Sequence, residues 1–506
     1  MKVVVIGAGL SGLTSAAFMA KAGHDVAVYE QNGFIGGVAS LISKNGYSWE
    51  QGPLLLGDML PGESVYQLLK RLGITLQVWQ EERGIVLPDY DMWHPDDYQG
   101  PYWRKDRLKS LFPDESEGID AYYDFYDNMT ALMRIALEKP SIAQKVRLIR
   151  TFSKVKKYKD MNAQELMDTF FKSPKIKALF TGILADVCVK PSEFMALGVP
   201  MFNIETAFEK RIPLCENGKK IRNGYVYVKG SVNKIATELA RVIEAFNGKI
   251  YTNETVTKIN VGPNGVTGVN LSGNKTAEAD IIIASGGANE LFRDLLGENH
   301  LDNEYKNILS AFKPMDSVFM VHLGVDTNPL KYQKTALCYY YGSYDIEGAI
   351  DRIRNGIYHE GKDGFLIYVP SIANPEMAPD GHYAVTIYTV APDTLKTGIW
   401  ETLKNEYADK LIGLASERIP SLKDHINEKV IVTPIDFRRL THLHKSAFGG
   451  LVPLWGVKNP PHKTPVKNLY FVGQQSENMG GVGAVMLGAE ITANLALKEN
   501  RKERRK

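Results

Sequence analysis

Val3-Val4-Val5-Ile6, Gly7-Ala8-Gly9-Leu10-Ser11-Gly12 and, a little further on, Asp25-Val26-Ala27-Val28-Tyr29-Glu30 decide the fold of this 506-residue chain. The β-branched run predicts a parallel strand buried on both faces. The glycines follow it directly and open an alanine-rich stretch, Leu13 to Ala22, that reads as a helix. Gly7 permits a tight turn, Gly9 lets backbone approach a pyrophosphate, and Gly12 lets helix and strand pack closely. The helix N-terminus then offers free N–H groups and the positive end of its dipole. Glu30 closes the second strand 18 residues after Gly12, where a carboxylate can accept hydrogen bonds from ribose hydroxyls. Strand, helix, strand and terminal acid in this order predict dinucleotide binding.

The segment that follows specifies the dinucleotide. Gln31-Asn32-Gly33-Phe34-Ile35-Gly36-Gly37 leads to Gly46-Tyr47-Ser48-Trp49-Glu50-Gln51-Gly52-Pro53. Here the chain resembles the flavin-dependent amine oxidase and phytoene desaturase superfamily, which extends the fingerprint with a Gly-Gly pair and an aromatic-acid-x-Gly-Pro element. The resemblance implies FAD, with its ring held deep between two domains. It carries Gly36, Gly37, Gly52 and Pro53 over as cofactor contacts, beside Gly7, Gly9, Leu10, Ser11, Gly12, Glu30 and Gln31. Val38 also falls in this contact set, but it stands where the superfamily usually has Arg or Lys. One expected phosphate contact is thereby lost, and the backbone turn is left.

Two later segments extend the likeness. Asn468-Leu469-Tyr470-Phe471-Val472-Gly473 reads as a strand entering a turn, and Met479-Gly480-Gly481-Val482-Gly483-Ala484 starts a helix of small residues. This is similar to the C-terminal flavin motif of phytoene desaturases and implies contacts from Gly473, Gln474, Gly481, Val482 and Gly483. Small residues suit close approach of backbone to a flat ring, and a helix N-terminus there would favour negative charge on reduced flavin. In the middle, Gly224 to Ser231 precedes a helical pattern from Val232 to Phe246, and short strands follow from Gly248 to Gly286. That unit resembles the second FAD-contacting segment of the family, with Val256 at the adenine-flanking position and Gly286 at the end of the last strand.

Length alone predicts two or three domains. The resemblance implies an α/β chain: a Rossmann-like FAD-binding domain (GR2-type) with a discontinuous α+β substrate domain. The first is expected from 1–75, 220–299 and 431–506, the second from 76–219 and 300–430. Sixty basic and 58 acidic residues leave a formal net charge of +2, so nothing global favours nucleic acid. Cys188, Cys215 and Cys338 lie far apart and make neither a disulfide framework nor a metal cluster. His442 and His444 would share one face of a strand, with surface or packing roles, and no metal is expected. Lys2 ahead of a strand is no export signal, and no stretch reaches 18 unbroken apolar residues. A cytoplasmic protein is expected. Its tail, Lys498 to Lys506, carries six basic and two acidic residues, which reads as a solvated terminus or as a contact with anionic headgroups.

No nucleophile–base signature stands out. The resemblance implies desaturation of an apolar, isoprenoid or carotenoid-like small molecule by hydride transfer to flavin, with the substrate delivered from a membrane surface. Ser317 to Asp326 and Gly449-Gly450-Leu451-Val452-Pro453 resemble the desaturase branch more than the amine oxidase branch. Saturation or isomerisation of a polyene, amine oxidation, and flavin binding without turnover remain open, as do the terminal acceptor and the oligomeric state. Lys313, Asp316 and His322 are placed near the substrate without a catalytic role. Tyr122, Phe125 and Tyr126 fall at helical spacing and read as a core stripe.

Overall fold

The computed structural model describes residues 1–503 apart from 82, 99, 101, 138–140, 204–213, 217–218, 222–224, 455 and 479. The opening strand, Lys2–Ile6, lies at the centre of a five-stranded parallel sheet. Across the sheet the order is Lys249–Tyr251, Asp25–Tyr29, Lys2–Ile6, Ile281–Ser285 and Leu469–Val472. Val3, Val4 and Val5 are fully covered, as a β-branched run covered on both faces requires. The helix Leu10–Lys21 buries ten of its twelve residues because it packs against the sheet and two further helices, Asn233–Ala245 and Val482–Glu503. Ser11, Gly12, Ser15 and Ala16 keep that surface flat enough for close contact. An antiparallel meander, Val256–Gly262, Gly265–Leu271 and Thr276–Glu278, covers the other face, where Val4, Ile282 and Phe471 meet Ile259 and Val269.

A second, seven-stranded sheet orders Ile426–Val432, Ser317–Val325, Tyr383–Ala391, Gly364–Tyr368, Leu337–Tyr341, Gly84–Val86 and Asp91–Met92. Every residue of Ser317–Val325 is buried, so the strand is covered on both faces rather than alternating buried and exposed positions. One face of this sheet meets the helix Trp400–Arg418 through Phe319, Val321 and Leu323. The other meets a helical layer built from Trp103–Leu111, Ser116–Leu137, Ala163–Phe170 and Pro174–Thr181. Tyr122, Phe125 and Tyr126 sit inside that layer, against Phe170, Tyr158 and Tyr102 respectively, a core stripe as their spacing predicts.

Glu50 ties the start of the helix Asn233–Ala245 to the second sheet. It ends the strand Tyr47–Glu50, accepts the Val232 N–H at 2.7 Å and the Tyr368 hydroxyl at 2.8 Å, and is buried. Burial pushes its carboxyl up to about 7 against those two donors. The folded state therefore holds a proton that the unfolded chain releases near pH 4.5, and stability falls as pH rises from about 4.5 to about 7. The charged form costs roughly 3 kcal/mol above that window. Glu50→Gln is expected to raise the melting temperature at pH 8 and to leave it unchanged near pH 4.5. Equal shifts at both pH values in a thermal melt would sink this reading of Glu50.

Candidate functional site

The carboxyl ends of Lys2–Ile6, Asp25–Tyr29 and Ile281–Ser285 open into a cleft of about 370 Å³. Such ends, where the strand order reverses, are where open α/β sheets bind ligands. Gly7, Gly9, Leu10, Ser11, Glu30, Gln31, Gly36, Gly37, Val38, Pro53, Gly286, Gln474, Gly481 and Val482 all line this one cleft. Sequence positions more than 400 residues apart thus meet on one wall.

The remaining candidates stand behind it. A Cβ at Gly12 would collide with the Gly7 carbonyl, and one at Gly52 would lie 2.6 Å from the Val38 carbonyl. Both glycines hold cleft-lining turns in place from the rear. Gly473 packs on Gly286, whose amide would lie 3.0 Å from an added Cβ, and Gly483 faces Val65. Val256 opens the meander strand opposite Leu271 and does not form part of the wall.

The wall is bare backbone where a ligand would touch it. Nothing lies within 4 Å of a Cβ built at Gly9, Gly286 or Gly481, and Gly286 has a φ of 135° that side chains rarely adopt. The helix Leu10–Lys21 has no side-chain cap at Gly9 and no acid in its first turn. The helix Val482–Glu503 likewise begins on this wall without an early acid. Its start and that of the first helix present unsatisfied N–H groups and positive dipole ends. No lysine or arginine lines the cleft among the described residues, so anionic charge here meets N–H groups rather than cations. This matches Val38 at the position where a basic residue was expected.

Glu30 braces the glycine turn. Its Oε2 accepts the Ala8 N–H at 2.7 Å, and its Oε1 accepts the Asn32 backbone N–H at 2.8 Å and Nδ2 at 2.9 Å. Asn32 Nδ2 also donates to the Leu440 carbonyl at 2.9 Å, and His442 Nε2 donates to Asn32 Oδ1 at 3.1 Å. His442 does not sit on a strand with His444, as the sequence suggested. It ends the helix Pro434–Thr441 with a φ of 57°, and His444 is exposed beside Glu290 and Asp294. The described residues contain no group able to hold a metal ion.

Much of the remaining cleft lining is apolar and escaped the sequence reading. Leu55, Leu56, Val187, Met315, Leu443 and Phe448 form it, with Asp186 among them. Gly449 and Gly450 bring this wall to the flavin-motif loop, since a Cβ at Gly450 would run into the backbone of Gly480. Asp186 belongs to the turn Gly182–Val187, which follows the helix Pro174–Thr181, and no local motif announces it. Burial lifts its carboxyl to about 6, opposed by the nearby Tyr339 hydroxyl and by the Arg83 charge. Arg83 is buried, lies over the rings of Tyr225 and Tyr339 at 5.0 and 5.3 Å, and donates to the Phe202 carbonyl at 2.7 Å. Of the residues placed near the substrate, Lys313 is exposed and Asp316 accepts the Asp393 N–H at 3.4 Å. His322 is buried between Trp49 and Thr386, and desolvation pushes it down to about 3, so it is a neutral core residue.

The sequence profile described as Flavin containing amine oxidoreductase matches residues 10–497. The chain belongs to this family. It is an FAD-dependent oxidoreductase, and the bare glycine wall with its two helix N-termini fits such a dinucleotide. The 4,4'-diapophytoene desaturase (4,4'-diaponeurosporene-forming) of Staphylococcus aureus is 25% identical over 99% of both chains. An oxidoreductase from Methanosarcina mazei shares the fold with a TM-score of 0.62 and 20% identity, over 98% of this chain and 100% of that one. Putrescine oxidase, in a structure bound to putrescine, shares it with a TM-score of 0.63 and 14% identity over 99% of both. These likenesses span the family from a desaturase to an amine oxidase, and the fold alone does not choose between them.

Proposed function

We propose that the chain desaturates an apolar, isoprenoid-like small molecule taken from a membrane surface. In this reading residues 1–75, 220–299 and 431–506 hold FAD, and 76–219 with 300–430 build the substrate side. The observation that carries it is the apolar lining of Leu55, Leu56, Val187, Met315, Leu443 and Phe448 in the same cleft as the bare glycines. The similarity to a 4,4'-diapophytoene desaturase across both chains supports the same substrate class.

Bound FAD supplies the two-electron acceptor for a C–H bond. Gly9, Ser11 and Gly37 would hold its phosphates through N–H groups, with the Gly36 N–H fixing the turn on the Ala8 carbonyl, and Glu30 its ribose. The N-terminus of Val482–Glu503 favours extra negative charge on that wall. The apolar wall holds the hydrocarbon and keeps water out. Asp186, beside the Tyr339 hydroxyl, is the group among these lining residues able to take up the proton that leaves with the new double bond.

Asp186 also favours a second reading, oxidation of an amine whose cation it would pair with. Incubation with 4,4'-diapophytoene in liposomes, against putrescine in buffer, separates the two. The expected result is a new conjugated-polyene absorption and no turnover of the amine. Amine turnover with an unchanged polyene spectrum would replace the proposal with the second reading.

A further inference from the structure

One helix carries apolar residues on the side that faces away from the protein. Ile142–Val155 buries Thr151 and Val155 and exposes Ile142 by 82%, Ile149 by 70%, Val146 by 47% and Phe152 by 42%. Ile142, Val146 and Ile149 stand at i, i+4 and i+7, so they form one outward ridge. Seven lysines and arginines and no acid lie between Lys145 and Lys159, although the whole chain carries a formal net charge of only +2. An outward apolar ridge flanked by basic residues is the composition of a helix that lies in a lipid interface.

We infer that Ile142–Val155 is the surface by which this protein docks on an anionic membrane. The basic flanks match the negative potential of such a surface, which attracts lysines and arginines within about a Debye length. A second copy of the chain fits the ridge poorly. A two-fold contact would set the same basic segment against itself, and like charges oppose that pairing. No helix among the described residues is long and apolar enough to cross a membrane, so the docking is interfacial.

The placement connects to the cleft. Ile142–Val155 packs on Ser116–Leu137, which packs on Ala163–Phe170, and that on Pro174–Thr181. The last of these runs into Gly182–Val187, whose Asp186 and Val187 form part of the apolar wall. One helical layer thus reaches from the outward ridge to the site where the hydrocarbon would bind. The inference deepens the delivery half of the proposed function and rests on that reading for its purpose, but not for its test.

Co-sedimentation of the flavin-loaded protein with vesicles tests it without turnover. Vesicles of phosphatidylcholine alone are compared with vesicles that also contain phosphatidylglycerol, for the wild type and for Ile142→Glu/Ile149→Glu. Both positions are exposed, so flavin content and melting temperature serve as folding controls. The wild type is expected to bind the anionic vesicles, to be released by high salt, and to lose at least tenfold in binding in the double variant. A chain shortened by residues 501–506 is expected to bind as the wild type does. Equal binding by the double variant, loss of binding on removal of the tail, or no binding by the wild type would overturn the assignment. Dimerisation abolished by the double variant in light scattering would reassign the ridge to a contact between copies. A failed desaturation assay leaves this result standing, and failed sedimentation leaves the chemistry standing.

Discussion

Gly9→Val is expected to purify folded and colourless. Gly9 has a φ of −71° and a ψ of 173°, an extended conformation that valine adopts without strain. No protein atom lies within 4 Å of its Cβ direction, so the apo fold has room for the new side chain. That room lies on the cleft wall at the start of the helix Leu10–Lys21, where a phosphate must come within hydrogen-bond reach of the N–H groups. A branched side chain there holds the phosphate off. Flavin affinity is expected to fall at least about a hundredfold, close to 3 kcal/mol, while stability of the flavin-free protein changes by less than about 0.5 kcal/mol. Absorbance of released flavin and a thermal melt of the apo forms read the two effects separately. Gly12→Ala makes the contrast, because its Cβ meets the Gly7 carbonyl, so the apo fold itself should weaken. A yellow, fully loaded Gly9→Val protein would contradict the placement of the phosphates.

Arg83→Met is expected to cost about 3 kcal/mol at pH 8, from two lost ring contacts, one lost bond to the Phe202 carbonyl and a stranded Asp186 carboxylate. The loss should depend on pH. Asp186 titrates at about 6 in the folded protein, and Arg83 holds that value down. Below that pH the carboxyl is neutral and no longer needs the cation, so the variant loses less stability at pH 5 than at pH 8. Adding Asp186→Asn should recover part of the loss at pH 8 and little at pH 5. Melting curves of the single and double variants at both pH values decide it. An equal loss at pH 5 and pH 8 would show that Arg83 acts through packing alone.

What the sequence made legible follows from what glycine is for. Gly7, Gly9, Gly36, Gly37, Gly286 and Gly481 line the cleft, and only local residue type is needed to see them. Gly12, Gly52 and Gly473 serve one step removed, by letting neighbouring backbone lie close. Both kinds leave the same letter in the sequence. The apolar wall left no such mark. Met315, Asp186 and Phe448 come from the end of a loop, a short turn and an irregular segment, and tertiary packing alone brings them together. His322 failed for a related reason. Its place on a substrate-domain strand was legible, but Trp49 of a distant hairpin covers it. The Ile142–Val155 ridge was within reach, since its spacing and its run of basic residues are both local. The tail, with its more obvious charge run, drew the membrane reading instead.

The central claim is that an apolar hydrocarbon gives its electrons to the flavin of this chain. Anaerobic titration of the flavin-loaded protein with 4,4'-diapophytoene in liposomes, followed by the visible flavin spectrum, tests it most directly. The oxidised flavin band is expected to bleach in step with the appearance of a longer conjugated polyene. A flavin that stays oxidised with the polyene present, yet bleaches on addition of putrescine, would contradict it.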